Sequence, residues 1–151
     1  MALLFFGDEK REGIMKKETL VSFAPLVLRL VLGAILLTHG MIKFMHLRGA
    51  IQSFSHIGIP LAGVVTPLIA LLEVVGGLGL ILGVGTRLFA VLLAGELLIA
   101  ILTARLSAGF VDGYEFELAL IAGLISLLLS GPGRLALLKD EITFFARKRE
   151  V

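Results

Sequence analysis

The chain has 151 residues, 58% of them hydrophobic and 17% charged, with a formal net charge of only +2. Soluble domains run at about 45–50% apolar and about 25% charged, so water is the wrong solvent for most of this chain. Cysteine is absent, which excludes disulfides, thiol catalysis and cysteine-ligated metal or iron–sulfur sites.

The N-terminal stretch is a poor signal peptide. "LLFF" is too short for an apolar h-region, and "GDEKRE" follows it. Met15-Lys16-Lys17 reads as a natural start, with residues 1–14 as an extension; a short cytoplasmic tail accounts for them equally well. The expected layout is an N-terminal arm over 1–21, a membrane domain over 22–133 and a tail over 134–151.

A spanning helix needs about 20 mainly apolar residues. Four stretches qualify in order, about 23–44, 61–84, 88–104 and 116–130. Turn residues separate them: "HIGIP" at 56–60, "GVGT" at 83–86, "SAGFVDGY" at 107–114 and "SGPG" at 130–133. Helices satisfy their own backbone in lipid. A membrane barrel would alternate polar and apolar residues over about ten positions, which these Leu/Ile/Val/Ala runs do not do. The expected fold is an all-α integral membrane four-helix bundle.

An even number of spans puts both termini on one side. Of the fourteen Lys and Arg residues, ten lie in the two arms and the 84–87 turn, and three (Lys43, Arg48, Arg105) at the other face. The positive-inside rule then makes both termini cytoplasmic. Arg87 is a topology anchor rather than part of a phosphate loop, because "GVGTR" lacks GK[ST] and a preceding strand. The tail "RLALLKDEITFFARKREV" mixes apolar and basic residues and suits an amphipathic helix on the inner leaflet; a frayed soluble tail is the alternative. It is too short and too close to the bilayer to suggest nucleic acid.

Every span carries ionisable groups. The first has Arg29, His39 and Lys43, the second Glu73, the third Glu96 and the fourth Glu117, with Glu115 at its mouth. A charge at the bilayer centre costs about 2.5–3.5 kcal/mol on insertion scales, so these groups are expected to face one another inside the bundle. At about 100° per residue, Lys43 lies about 40° from Arg29 and His39 about 80°. Thr66 and Glu73 are nearly eclipsed, as are Glu96 and Thr103. Rise-per-residue arithmetic puts Arg29 about 5 Å from the level of Glu96. Side chains lean toward their own helix N-terminus, which sends Glu73 toward His39. Arg29–Glu96 is therefore the expected close pair and Glu73–His39 the looser one, with Glu117 near Lys43 or His39. Gly33, Gly40, Gly76, Gly77, Gly79 and Gly83 are expected to serve helix packing, Gly79 and Gly83 at GxxxG spacing.

Three segments resemble the DoxX family of small bacterial and archaeal membrane proteins: "LRLVLGAILLTHGMIKF", "LLEVVGGLGLILGVGTRLFA" and "GYEFELALIAGLISLLLSGPGRLAL". The likeness covers roughly 24–138. It is most specific at Arg29 with His39-Gly40 and Lys43, Glu73-x-x-Gly76-Gly77, Gly85-Thr86-Arg87, Gly113-Tyr114-Glu115, Glu117 and Gly131-Pro132-Gly133-Arg134. The resemblance implies a four-helix inner-membrane protein. It also implies a link to quinone oxidoreduction, because a related branch supplies a membrane subunit of a thiosulfate:quinone oxidoreductase. Other members are associated with thiol and superoxide stress complexes. Without cysteine, this chain cannot itself cycle a dithiol.

Three function classes follow. The first is a membrane subunit of a quinone- or thiol/sulfur-linked redox system, with a soluble partner protein carrying the redox centre and His39 placed to hydrogen-bond a quinone carbonyl. The second is a small transporter or proton conductor built on Arg29, Glu73 and Glu96. The third is a scaffold without chemistry of its own. No covalent or metal-ligated cofactor is expected, since the three histidines show no ligand spacing; quinone is the cofactor that fits. An oligomer in the bilayer is compatible with all three classes.

Overall fold

The structure is a computed structural model and describes residues 23–138. The expectation for residues 1–14 lies outside the described residues, as does most of the tail expected as a helix over 134–151; its described part, 134–138, is not helical.

All regular structure among the described residues is helical. Helix α1 spans Ala24–Met45, α2 Leu47–His56, α3 Ala62–Leu82, α4 Thr86–Ala100 and α5 Glu115–Ser130. Four helical runs are long and apolar enough to cross a membrane: Ala24–Met45, Ala62–Leu82, Thr86–Ala108 and Phe110–Ser130. They form a closed bundle in which α1 packs chiefly on α3 and α4 on α5, while α3–α4 and α1–α5 complete the ring. Phe23 and Arg134 meet at one end, the guanidinium 5.6 Å from the ring centroid. That end is called the terminal end below.

Helix α1 opens with Pro25 in its first turn, where a missing N–H costs nothing. Helix α3 stops at Gly83, which adopts φ +70°. The Val84 N–H bonds the Gly79 carbonyl at 2.8 Å and the Gly83 N–H the Leu80 carbonyl at 3.1 Å. This is a Schellman ending, and it demands a residue without a Cβ. Gly83 therefore ends the helix rather than continuing a GxxxG packing stripe with Gly79.

The other glycines divide by face. A Cβ on Gly77 would lie 2.7 Å from the Leu37 backbone nitrogen and 2.8 Å from the Gly33 carbonyl oxygen. A Cβ on Gly40 would lie 2.8 Å from the Ala70 carbonyl. Backbone meets backbone there, so α1 and α3 approach more closely than any side chain allows. Gly76 and Gly79 face the other way and take Leu93 and Phe89 of α4.

The 46–60 connection, read from sequence as a loop, contains α2. Its partly buried residues are Leu47, Ala50, Ile51 and Phe54, and Arg48, Gln52, Ser53, Ser55 and His56 are exposed. That is the i, i+3, i+4, i+7 pattern of a one-sided helix, and it packs against α3 at the end opposite the termini.

The third span runs beyond its sequence estimate. Helix α4 continues as a π turn over Ile101–Arg105 and a short 3-10 turn over Leu106–Ala108. After Gly109 the chain kinks through Val111 and Asp112 (φ +57°), with the Tyr114 N–H bonding the Gly109 carbonyl at 3.2 Å, and enters α5. Such irregular turns are frequent at functional sites.

Candidate functional site

The polar groups of the spans fall into two layers, separated by leucine. In the terminal layer, Arg29 is fully buried. Its Nη1 donates to the Pro132 carbonyl at 2.6 Å and its Nη2 to the Leu135 carbonyl at 3.3 Å. The segment after α5 turns at Gly131 (φ +78°) and folds back across the bundle. There the Leu137 N–H bonds the Leu82 carbonyl at 3.1 Å and the Leu138 N–H the Gly83 carbonyl at 3.3 Å. The C-termini of α3 and α5 converge on this region, and the negative ends of their dipoles favour a cation. The expected Arg29–Glu96 pair is therefore not formed. Arg29 gives Nη1 and Nη2 to backbone carbonyls, which a sequence cannot place, while its Nε is buried without a hydrogen-bond partner among the described residues.

Above this layer the core is apolar. Leu36, Leu80, Leu93, Leu124 and Leu127 are each at most 1% exposed, and Leu32, Ala90, Leu97 and Leu120 join the same cluster. Each comes from the inward stripe of its helix.

The second layer lies toward the opposite end. Lys43 Nζ donates to Glu73 Oε2 at 2.5 Å. Glu73 is 2% exposed and the Lys43 side chain 23%. Lys43 leans back along α1 and Glu73 leans toward the start of α3, as helical side chains do. Because α1 and α3 are antiparallel, these leanings converge. The close approach at Gly40, whose Cβ would meet Glu73 Cβ at 2.9 Å, brings the two helices together just below the pair. Glu73 thus pairs with Lys43 and not with His39.

Glu96 projects from α4 within electrostatic reach of Glu73 and Lys43. Its Oε2 is buried and accepts no hydrogen bond from any described residue. Thr66, on the same buried stripe of α3 as Glu73, is fully buried with its Oγ1 likewise unpartnered. The Lys43 ammonium is bonded to Glu73, and Glu96 Oε2 is bonded to neither. Such an arrangement can bind or exchange a proton, or anchor a polar group of a guest molecule.

Glu117 was expected near Lys43 or His39. Instead its Oε1 accepts from Arg105 Nε at 3.1 Å, while its Oε2 is buried without a partner. The π turn over Ile101–Arg105 delivers Arg105 to that position. In the sequence Arg105 counts only as one of three basic residues at the face opposite the termini; its separation of twelve residues from Glu117 across a tight connection is the signal for the pair. His39 is exposed rather than turned into the bundle. Its Nδ1 donates to the Ile35 carbonyl at 2.9 Å, and its ring lies 6.0 Å from that of Phe116 at an interplanar angle of 34°. The six groups thus divide: Lys43, Glu73 and Glu96 come together, Glu117 binds Arg105, His39 borders the α1–α5 seam, and Arg29 belongs to the terminal layer.

A family model described as DoxX matches residues 24–106. The chain is 38% identical over 123 residues to a protein of Bacillus subtilis (strain 168) named "Putative oxidoreductase CatD", covering 82% of this chain and 89% of that one. It is 36% identical over 124 residues to "Uncharacterized membrane protein Rv3486" of Mycobacterium tuberculosis (strain ATCC 25618 / H37Rv), covering 73% of this chain and 76% of the relative. No solved structure matches the chain significantly.

Proposed function

This chain belongs to the DoxX family, and from that premise we propose that it is the membrane subunit of a redox system. It binds a quinone-like or small sulfur substrate at the Lys43–Glu73–Glu96 layer, while a soluble partner carries the redox centre. It sits in the plasma membrane with both termini cytoplasmic. The observation that carries this reading is Glu96: a buried carboxyl oxygen without a hydrogen-bond partner, beside a buried ion pair. Buried polar atoms are seldom left unpaired, and an intramembrane ionisable group is a functional candidate by default. The name of the Bacillus relative adds the redox direction. A chain without cysteine leaves thiol chemistry to a partner.

The leucine layer favours this reading over a proton conductor. A path through both ends would have to cross Leu36, Leu80, Leu93 and Leu124, all essentially inaccessible. It would then meet Arg29 and the 131–138 return. The polar layer is better suited to a site entered from one side.

Quinone-dependent turnover in native membranes tests the proposal. Membranes containing the chain are expected to outpace membranes lacking it, and Glu96→Gln is expected to remove most of the difference. Equal rates with and without the chain would overturn the reading.

A further inference from the structure

The α1–α5 seam changes character along its length. In the terminal half, a Cβ on Gly123 would lie 3.0 Å from Leu32 Cδ1, so leucine closes the seam against a residue with no side chain. Seven residues onward in α1 is His39, and seven residues back in the antiparallel α5 is Phe116. These two meet as a tilted ring pair at 6.0 Å. The heptad step that seals the seam below thus places two rings across it above, and both residues are exposed.

His39 lies six residues before the end of α1, about 9 Å inside the helix end at 1.5 Å per residue. A polar side chain exposed at that depth toward lipid is costly. The Ile35 carbonyl accepts a hydrogen bond from Nδ1–H, so Nε2 of the neutral ring is an acceptor, and no described residue bonds it. Lys43, one turn further along α1 and on the same side as His39, keeps part of its side chain exposed while its ammonium reaches Glu73. The ring pair thus faces outward in the seam, one turn along α1 from the partly exposed Lys43 of the polar layer.

We propose that His39 and Phe116 form a lateral gate in the α1–α5 seam, through which a lipid-dissolved aromatic bearing hydroxyl donors enters from the bilayer to reach Glu96. The rings offer a stacking surface for an aromatic guest. The unpaired atoms along the route are His39 Nε2 and, when ionised, Oε2 of Glu96 and Oε2 of Glu117, whose Oε1 is held by Arg105. All three accept hydrogen bonds. They match the two O–H donors of a quinol-type ring better than the carbonyl acceptors of its oxidised form. This inference rests on the redox reading above for its ligand, but the route itself is a property of the seam.

The cysteine-free sequence makes the route measurable. Glu96→Cys in the full chain, reconstituted in nanodiscs, provides a single thiol in the polar layer. Thr66→Cys, nearly isosteric with the native residue, is the second reporter if Glu96→Cys fails to fold. Labelling by lipid-permeant N-ethylmaleimide is compared with labelling by a membrane-impermeant cationic methanethiosulfonate. Phe116→Ala is expected to raise the maleimide rate severalfold and Phe116→Trp to lower it, with little change for the impermeant reagent. Fast impermeant labelling with a maleimide rate indifferent to Phe116 would overturn the gate, because the site would then open to water. In a separate arm, decylubiquinol and decylubiquinone are each tested for protection of the Thr66→Cys thiol, which leaves the Glu96 carboxyl in place. Stronger protection by the quinol supports the assigned ligand, and stronger protection by the quinone overturns it. Protection by neither, with Phe116 still controlling the maleimide rate, overturns the quinol assignment while the gate stands; the redox reading is overturned separately, by equal turnover in membranes with and without the chain.

Discussion

Lys43 reaches back from the far end of α1 to Glu73 near the middle of α3, Nζ to Oε2 at 2.5 Å. Glu73 is almost wholly buried, so each member covers the other's charge. Losing one partner of a buried pair typically costs about 3–5 kcal/mol, because the other charge is stranded. Glu73→Gln and Lys43→Met are each expected to lower the melting point in detergent markedly, and the double variant to fall short of their sum. A double-mutant cycle on thermal melting is the measurement, and additivity would place the partner of Glu73 elsewhere.

Arg29 is held by the carbonyls of Pro132 and Leu135. Hydrogen bonds to a charged group contribute about 1.5–3 kcal/mol each. Arg29→Ala is expected to loosen the 131–138 return and expose it to limited proteolysis. Arg29→Lys restores the charge without the planar fork and is expected to rescue only part. Arg29→Ala combined with Glu96→Gln is expected to be additive, since the two side chains share no partner.

Gly77→Ala tests the α1–α3 crossing. Its Cβ would meet backbone atoms of Leu37 and Gly33 under 3 Å away, and backbone cannot rotate aside. A destabilisation of about 1–3 kcal/mol is expected, in the usual range for overpacking. Gly95→Ala is the control: nothing lies within 4 Å of its Cβ, and alanine favours helix. Its melting point is expected to be unchanged or slightly raised.

Single cysteines at Ser53 and Ser107 report topology. Ser53 lies on the exposed side of α2, and Ser107 in the 3-10 turn that ends the third span. With cytoplasmic termini, both are expected to react with an impermeant thiol reagent added outside intact cells. Reaction only after the cytoplasmic side is opened would invert the assignment.

The sequence by itself determined the solvent, the helical class and the family. Runs of about 20 apolar residues interrupted by glycine, proline and serine leave little choice of fold in lipid, because each segment must satisfy its own backbone. It also determined that the charges would avoid lipid, since stranding them is costly. Periodicity placed Lys43 and Glu73 on inward faces, and small residues marked the α1–α3 contact at Gly33, Gly40 and Gly77.

Only the tertiary structure decided who pairs with whom. Height arithmetic paired Arg29 with Glu96 because it treated side chains as the sole acceptors. The 131–138 return supplied backbone carbonyls that no residue pattern announces, and Arg29 went to them. Glu117 met Arg105 because the chain leaves the α-helical register at Ile101 and shifts every later side chain around the axis. His39 shares a stripe with Lys43, yet it lies exposed beside Phe116 in the α1–α5 seam. Periodicity fixes direction on an isolated helix, but burial depends on what the neighbouring helix presents at that height, and helix register and close approach are settled only when the bundle packs.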